Sequence, residues 1–492
     1  MTIPLSRAAL SRLPATIAVP VYGLAAVTPG IVHLGLGGFH RAHMARYTHD
    51  LMNLQPEARA WGIAGAGLMP ADRRMRDVLT AQDNLYTLVE QDGATEQATV
   101  IGALTDVIFA GDDTRALLDA IDAPGIRIVS ATVTENGYCL SRATKRLDLE
   151  HPLIAADRAT PRAPKSLVGI VTEAYRRRRD AGRKAFTALS CDNIQHNGNV
   201  LRQAVADFAN AIDPELAQWI AEHARFPNTM VDRITPVTSD AAIADLAARH
   251  GIADGWPVFC ETFRQWVIED DFADGRPEWE AVGAQFTTDV TPYEKMKLRL
   301  LNASHLAIAA PGRLMGYTFI HETMQDARLR RYMAALMDRE TGPTLSPVPG
   351  VDLADYKATL TARFANPAIR DTVERVNTDA PLNYLLDPIR DRLAEGAPVP
   401  LLAFAVAAWM RRVRGVDENG AAIDVRHPLA AELRARAEQG GGDPRPLLGL
   451  VSLFGDVGRD VGMIDATGKW LGTIYAHGTA RALDRLREEE GI

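Results

Sequence analysis

Over the first two hundred residues, short apolar runs alternate with stretches of helical periodicity. This alternation restricts the fold more than any other feature of the chain. Ile31-Val-His-Leu-Gly-Leu reads as a strand and Arg41 to Met52 as an amphipathic helix. Trp61 to Gly67 reads as a second strand, with helix-forming residues from Ala71 to Thr80. Apolar runs at Ile126–Thr134 and Ala185–Cys191 are strand-like and flank a helical pattern at Pro164–Arg179. Strands separated by helices pair in parallel, because a parallel pair needs a long crossover connection. Around Thr291-Pro-Tyr the texture changes, and Lys295–Ala310, Ala327–Asp338, Leu353–Phe364, Leu402–Arg414 and the tail from Thr479 all have helical periodicity. Gly440-Gly-Gly-Asp-Pro is a loop between helices. The expected architecture is an α/β domain over residues 1–290, including an N-terminal extension, then a mainly α-helical domain over 291–492.

Composition narrows the classes of partner. The 492 residues are 47% apolar and 24% charged, which suits packed domains and excludes disordered or collagen-like chains. A net charge of −8 without a broad basic region argues against nucleic acid. The one dense basic run, Arg176–Arg179, closes a helical pattern and reads as a solvated helix end whose cations complement the dipole. Cys139, Cys191 and Cys260 form neither a disulfide framework nor a zinc pattern, which suggests a reducing compartment. The apolar run Val399–Met410 is broken by Pro400 and falls short of the roughly 20 residues that span a bilayer. Arg7 and Arg12 before the apolar stretch Thr16–Val27 imitate a signal peptide, but Pro20 and Tyr22 interrupt it. A cytoplasmic protein with no membrane partner is expected.

The first strand runs directly into Gly35-Leu36-Gly37-Gly38-Phe39-His40, then a helix. Glycines at a strand-to-helix turn let the backbone approach a pyrophosphate seated on the helix N-terminus. Position 40 holds histidine where the third glycine of the dinucleotide fingerprint falls, so a tight structural turn is the competing reading. An acidic residue after the second strand binds the adenosine ribose and repels a 2′-phosphate; Asp72 is the nearest candidate. Arg73 and Arg74 beside it are suited to the opposite task, so NAD is the expected cofactor and NADP the alternative. His40 and His43 are expected to pack near this loop rather than bind metal, and His33 to be a satisfied core histidine.

The second informative stretch is Tyr293-Glu-Lys-Met-Lys-Leu-Arg-Leu-Leu-Asn-Ala-Ser-His305. On a helix advancing about 100° per residue, Asn302 lies about 140° from Lys297 and His305 about 80° from it. One broad face would then present an amine, an amide and an imidazole. Carbinol oxidation needs a base for the hydroxyl proton and neutral donors for the developing alkoxide. A lysine serves as base when burial or a neighbouring cation lowers its pKa. The competing reading is a half-buried helix with ordinary polar residues.

The motifs GLGGFHRAH (35–43), SCDN (190–193), FPNTMVDRITP (226–236), FRQWVIED (263–270), MKLRLLNASH (296–305) and GVDENG (415–420) occur in order. On these motifs the chain resembles the polyol-specific long-chain dehydrogenase/reductase family, which includes mannitol 2-dehydrogenase, arabinitol 4-dehydrogenase and fructuronate reductase. The resemblance implies a metal-independent NAD(P) enzyme with a Rossmann-type domain followed by a helical substrate domain. It implies that Lys297 is the general base, that Asn193 and Asn302 polarise the substrate oxygen, and that His305 positions the substrate. Glu294 matches a glutamate that assists proton release; Val231 and Asp232 match a substrate-facing segment, and Arg375 an arginine on the polyol chain. Lys295 is out of register with the motif and reads as a surface lysine. Read without the family, Asn193 would cap the helix after Asp192, and Asp232 would pair with Arg233.

The activity implied is reversible oxidation of mannitol to fructose by hydride transfer from C2. Fructuronate reductase and arabinitol 4-dehydrogenase are the alternatives, and a dinucleotide- or sugar-binding sensor that has lost catalysis is the reading from another class. Mannitol-type relatives usually carry a substrate-contacting lysine after the arginine. Val376 to Tyr384 contains none here, which leaves the far end of the pocket open. A monomer or weak homo-oligomer is expected.

Overall fold

A computed structural model describes residues 2–93, 95–141 and 144–492. The chain divides into two compact units, Met1–Thr291 and Pro292–Ile492.

The first unit is built on five parallel strands: β1 (Pro29–Leu34), β2 (Gly62–Gly67), β3 (Leu104–Phe109), β4 (Ile128–Ala131) and β5 (Thr187–Ser190). Their spatial order is β3-β2-β1-β4-β5, with Leu34 level with Ala66 on one side and Ala131 on the other. This is the doubly wound arrangement whose strand order reverses beside β1, where ligands sit at the carboxyl ends. Alternate residues of β1 serve opposite faces. Val32 and Leu34 pack under the helices Arg115–Asp122, Leu167–Asp180 and Asn197–Ile212, while Ile31 joins Met44, Leu51, Trp266 and Trp279. Burial on both faces explains why β1, β2, β4 and β5 read as apolar runs; the edge strand β3, with Thr105 and Asp106 partly open to solvent, was not expected from the sequence.

Other parts of this unit depart from the sequence expectations. The expected helix from Arg41 is two helices, Gly38–Ala42 and Met44–Leu54, divided at His43, whose Nε2 bonds the Gln265 carbonyl at 2.9 Å. A hairpin, Tyr86–Gln91 with Glu96–Ile101, and a mixed sheet of Thr229–Asp232, Gln265–Glu269 and Gln285–Thr287 were not foreseen. The segment resembling a signal peptide is not a helix along its length: Ile17–Ala18 pairs with Ala98–Thr99, and Ile3–Pro4 with Ile252–Ala253. The basic run is only partly a solvated helix end. Arg178 is buried and donates to the carbonyls of Ile121, Ala123 and Ile126 at 2.7–3.1 Å, while Arg176 and Arg177 pair with Glu173.

The second unit is helical. Its centre is the pair Ala303–Leu314 and Pro400–Arg412, buried almost all round as expected of core helices. The apolar run near residue 400 is thus a core helix, begun by Pro400 in its first turn, where a missing N–H is harmless. Among the described residues no helix is long and apolar enough to cross a membrane. GVDENG forms a turn closed by Asp417, whose Oδ1 accepts from Asn419 N at 2.9 Å and Ala421 N at 2.8 Å.

Candidate functional site

At the carboxyl end of β1 the chain turns sharply: Gly35 has φ +87°, a left-handed conformation that side chains disfavour. Its carbonyl accepts from Thr132 Oγ1 at 2.8 Å and lies 3.3 Å from His33 Nε2. His33 also bonds Ser130 and Thr132, so its imidazole braces the loop from inside β1. His40, in the place of a third glycine, stacks on His33 with ring centroids 3.4 Å apart. A glycine there would let helix and strand touch; the paired rings instead separate them by their own thickness. Burial draws His33 and His43 down to about 3, and His40 well below its ordinary value, so all three are neutral near pH 7. His40 therefore supports the loop from beneath and does not line the cleft above it.

That cleft has a volume of about 450 Å³ and is lined by Leu36, Gly37, Gly38, Phe39, Arg41, Asp72, Arg74, Thr235–Thr238 and Trp256. Asp72 opens the helix Asp72–Ala81, and its Oδ2 accepts from Met69 N at 2.9 Å, which holds the carboxylate at the end of β2. Arg73 stacks on Phe109 and pairs with Asp112, whereas Arg74 lies over Trp256 at the cleft margin. A glycine turn, a carboxylate after the second strand and an apolar-walled cleft together suit a dinucleotide.

The loop after β5 carries Asn193. It is not a helix cap: the helix begins at Asn197, with His196 in the left-handed region before it. The loop is pinned on both sides. Asp192 accepts from Tyr138 Oη at 2.7 Å and Thr134 N at 2.8 Å, and burial pushes its carboxyl up despite these bonds. Asn197 Nδ2 donates to the carbonyls of Asp192 and Thr229, both at 3.0 Å. Asn193 is itself exposed. The second bond ties the loop to the strand Thr229–Asp232, which carries the buried Val231 and Asp232. Arg233 is fully buried and pairs with Glu90, donating as well to the carbonyls of Ala42 and Glu261. The structural ion pair suggested for Asp232 and Arg233 thus has Glu90 as a carboxylate partner.

In the second unit the stretch around Lys297 is not one regular α-helix. Thr291–Met296 is α, Lys297–Asn302 is a π-turn, and Ala303–Leu314 resumes α. The Ala303 N–H reaches back five residues to the Leu298 carbonyl. The wider turn rotates Asn302 back toward the face that carries Lys297, whereas an α-helix holds them about 140° apart. Lys297, Asn302 and His305 are buried to 7–8% exposure and Glu294, one turn before the lysine, to 5%; Lys295 is exposed.

His305 stacks on Phe364 with centroids 4.5 Å apart, and its Nε2 lies 3.6 Å from Asp371 Oδ2. Asp371 also grips Arg375 with both carboxylate oxygens, one at 2.5 Å from Nε. Neither Asp371 nor Phe364 was among the expected site residues. Asp371 lies just before Thr372, the N-cap of the helix Val373–Asp379, so helical spacing did not mark it as the partner of Arg375. Where the lysine is missing, Asn377 donates to the Ala309 carbonyl at 3.0 Å and Asn383 opens the helix Asn383–Ala394. Among the described residues no group of three or more His, Cys, Asp or Glu is arranged to hold a metal ion.

Residues 29–281 match the Mannitol dehydrogenase Rossmann domain, and residues 289–474 the Mannitol dehydrogenase C-terminal domain. The mannitol 2-dehydrogenase of Aspergillus fumigatus is 43% identical over 451 residues, 90% of this chain and 90% of that protein. That of Phaeosphaeria nodorum is 43% identical over 465 residues, 93% of this chain and 81% of its own. The Pseudomonas fluorescens mannitol 2-dehydrogenase, solved as a ternary complex with NAD and D-mannitol, superposes with a TM-score of 0.90 at 43% identity, covering 99% of this chain and all of that one. A D-sorbitol dehydrogenase in substrate-free form reaches 0.89 at 37% identity over 97% of this chain and all of its own. With both domains matched in order and identity above two-fifths over nearly the whole length, the chain belongs to the mannitol dehydrogenase family.

Proposed function

We propose that this chain is an NAD-dependent polyol dehydrogenase that oxidises mannitol to fructose at C2. The observation that carries the reading is the π-turn at Lys297–Asn302, which carries a buried amine and a buried amide in a chain 43% identical to an enzyme solved with NAD and D-mannitol. Lys297, as the neutral amine, takes the proton of the C2 hydroxyl. The side-chain amides of Asn302 and Asn193 donate to the same oxygen and stabilise its developing negative charge. His305, held by Phe364 and Asp371, orients the chain of hydroxyls, and Glu294 accepts the proton that Lys297 releases. NAD bound in this cleft would supply the hydride acceptor for the oxidation at C2. The glycine turn, the cleft above it and Asp72 hold the adenosine and pyrophosphate portions. No step in this scheme calls for a metal ion.

The structure of a D-sorbitol dehydrogenase at TM-score 0.89, together with the missing lysine, favours a second reading in which another neutral polyol is preferred. NADH formation by chelator-treated protein with mannitol, sorbitol, arabinitol and mannonate, each with NAD and NADP, decides between them. Mannitol with NAD giving the highest kcat/KM supports the first reading, and sorbitol or arabinitol the second. No turnover with any pair, despite cofactor binding, overturns both and leaves a sensor.

A further inference from the structure

The guanidinium of Arg375, expected on the substrate chain, is already engaged. Asp371 takes it in a fork, Oδ1 from Nε at 2.5 Å and Oδ2 from Nη2, and Asp379 approaches Nη1 at 3.4 Å. This is the geometry with which arginine seizes a substrate carboxylate. Asp371 is 5% exposed, and its backbone is fixed: its carbonyl accepts from Ile320 N at 2.9 Å, and Val373 N donates to Thr318 O at 3.0 Å. The same carboxylate reaches His305 at 3.6 Å, so one buried group touches both His305 and Arg375, the two side chains assigned to the polyol chain beyond the reacting carbon.

We propose that Asp371, seconded by Asp379, neutralises Arg375 and holds it beside His305, so that the site selects an uncharged polyol over its carboxylate analogue. The inference rests on the reading of Arg375 and His305 as substrate-facing. One cation set between two carboxylates leaves the locus net negative. An incoming carboxylate must therefore either displace Asp371 from the fork or accept its repulsion. A hydroxyl meets neither obstacle, because arginine has five N–H donors and the fork leaves others able to donate. Asp371 is a positioning and specificity residue here, acting through Arg375 and His305.

The test compares kcat/KM for mannitol and mannonate in the full-length wild type, Asp371→Asn and Asp379→Asn, with NAD. Wild type favours mannitol strongly. Asp371→Asn reduces that ratio by about tenfold or more, with mannitol falling while mannonate rises. Asp379→Asn, at an exposed position, reduces it by about two- to fivefold, and Asp371→Glu restores part of the wild-type ratio. A purely structural lesion lowers both substrates together. Parallel losses in Asp371→Asn with an unmoved ratio in Asp379→Asn overturn the proposal, as does a wild-type ratio near one. A wild type that binds NADH but oxidises no polyol overturns the functional reading, and this one with it.

Discussion

Two glycines of one turn are predicted to fail in different ways when replaced by alanine. A Cβ on Gly35 would lie 2.2 Å from the Thr132 carbonyl oxygen, in a backbone at φ +87°. That carbonyl is not free to retreat, since Thr132 N is bonded to Leu34 O at 2.9 Å and Thr132 Oγ1 to Gly35 O. The conformation alone costs an alanine about 1–2 kcal/mol, and forcing apart β1 and β4 adds about 1–3 kcal/mol. Gly35→Ala should therefore destabilise the first unit by about 2–5 kcal/mol, a fall in Tm of about 5–15 °C. Gly37 sits at φ −95°, and the nearest atom to its added Cβ is 3.8 Å away. Gly37→Ala should leave stability within about 0.5 kcal/mol, but it fills the cleft where the backbone must approach a pyrophosphate. NADH binding should weaken about tenfold or more. Calorimetry and NADH fluorescence titration on both variants separate the effects. If Gly35→Ala melts with the wild type, the strained turn is misread. If Gly37→Ala binds NADH normally, the cleft does not seat the pyrophosphate.

Lys297→Ala should lower kcat by about three orders of magnitude with NADH affinity retained, and equal turnover would remove Lys297 as the base. Asp72→Ala should raise kcat/KM with NADP relative to NAD, and Arg74→Ala should lower it; movement of both variants in one direction would refute the assignment of these two side chains to the adenosine ribose. Burial lifts the Glu340 carboxyl to about 7 even though it accepts from Leu401 N at 2.7 Å and Leu402 N at 2.8 Å. Because the folded state holds this proton more tightly than the unfolded chain, its stabilisation is complete below about pH 4.5 and fades as pH rises through 7. Between pH 5 and 8 it amounts to about 2–3 kcal/mol. Melting temperatures over that range should fall more steeply in wild type than in Glu340→Gln, and matching slopes would show an ordinary carboxyl.

Four strands of the central sheet were legible because they are buried on both faces and so read as apolar runs, whereas the edge strand Leu104–Phe109, with Asp106 on its open face, was not. The hairpin Tyr86–Ile101 and the strand Thr229–Asp232 were not legible either, and the reason lies in their polar content. Glu90 sits inside the first, paired with Arg46 and with the buried Arg233 from far along the chain. Read locally, a glutamate in an apolar stretch interrupts a strand; only the distant arginine makes its burial tolerable. Arg178 is the same case reversed. In sequence it is one of four arginines at a helix end, yet three carbonyls from the end of the helix Arg115–Asp122 and the turn after it enclose it.

The site divides along a similar line. Residue types and their order point to the chemistry proposed, whereas Asp371, ahead of the helix Val373–Asp379, carries no local signal as the partner of Arg375. The angular placement was hidden, because Lys-Leu-Arg-Leu-Leu-Asn holds residues that an ordinary α-helix accepts, with nothing marking a wider turn. Within the π-turn Leu300 is fully buried, and Arg299 is held by Asp391 at 2.8 Å. A second π-turn, Met337–Thr341, occurs in the same unit and carries Glu340. In each, the widened turn presents a buried ionisable side chain, Lys297 in one and Glu340 in the other, at the expense of regular backbone bonding. Such a turn is rare and recurs at functional positions. Here it turns two residues that an α-helix would hold about 140° apart toward a common face, the placement that the proposed roles of base and oxygen donor require.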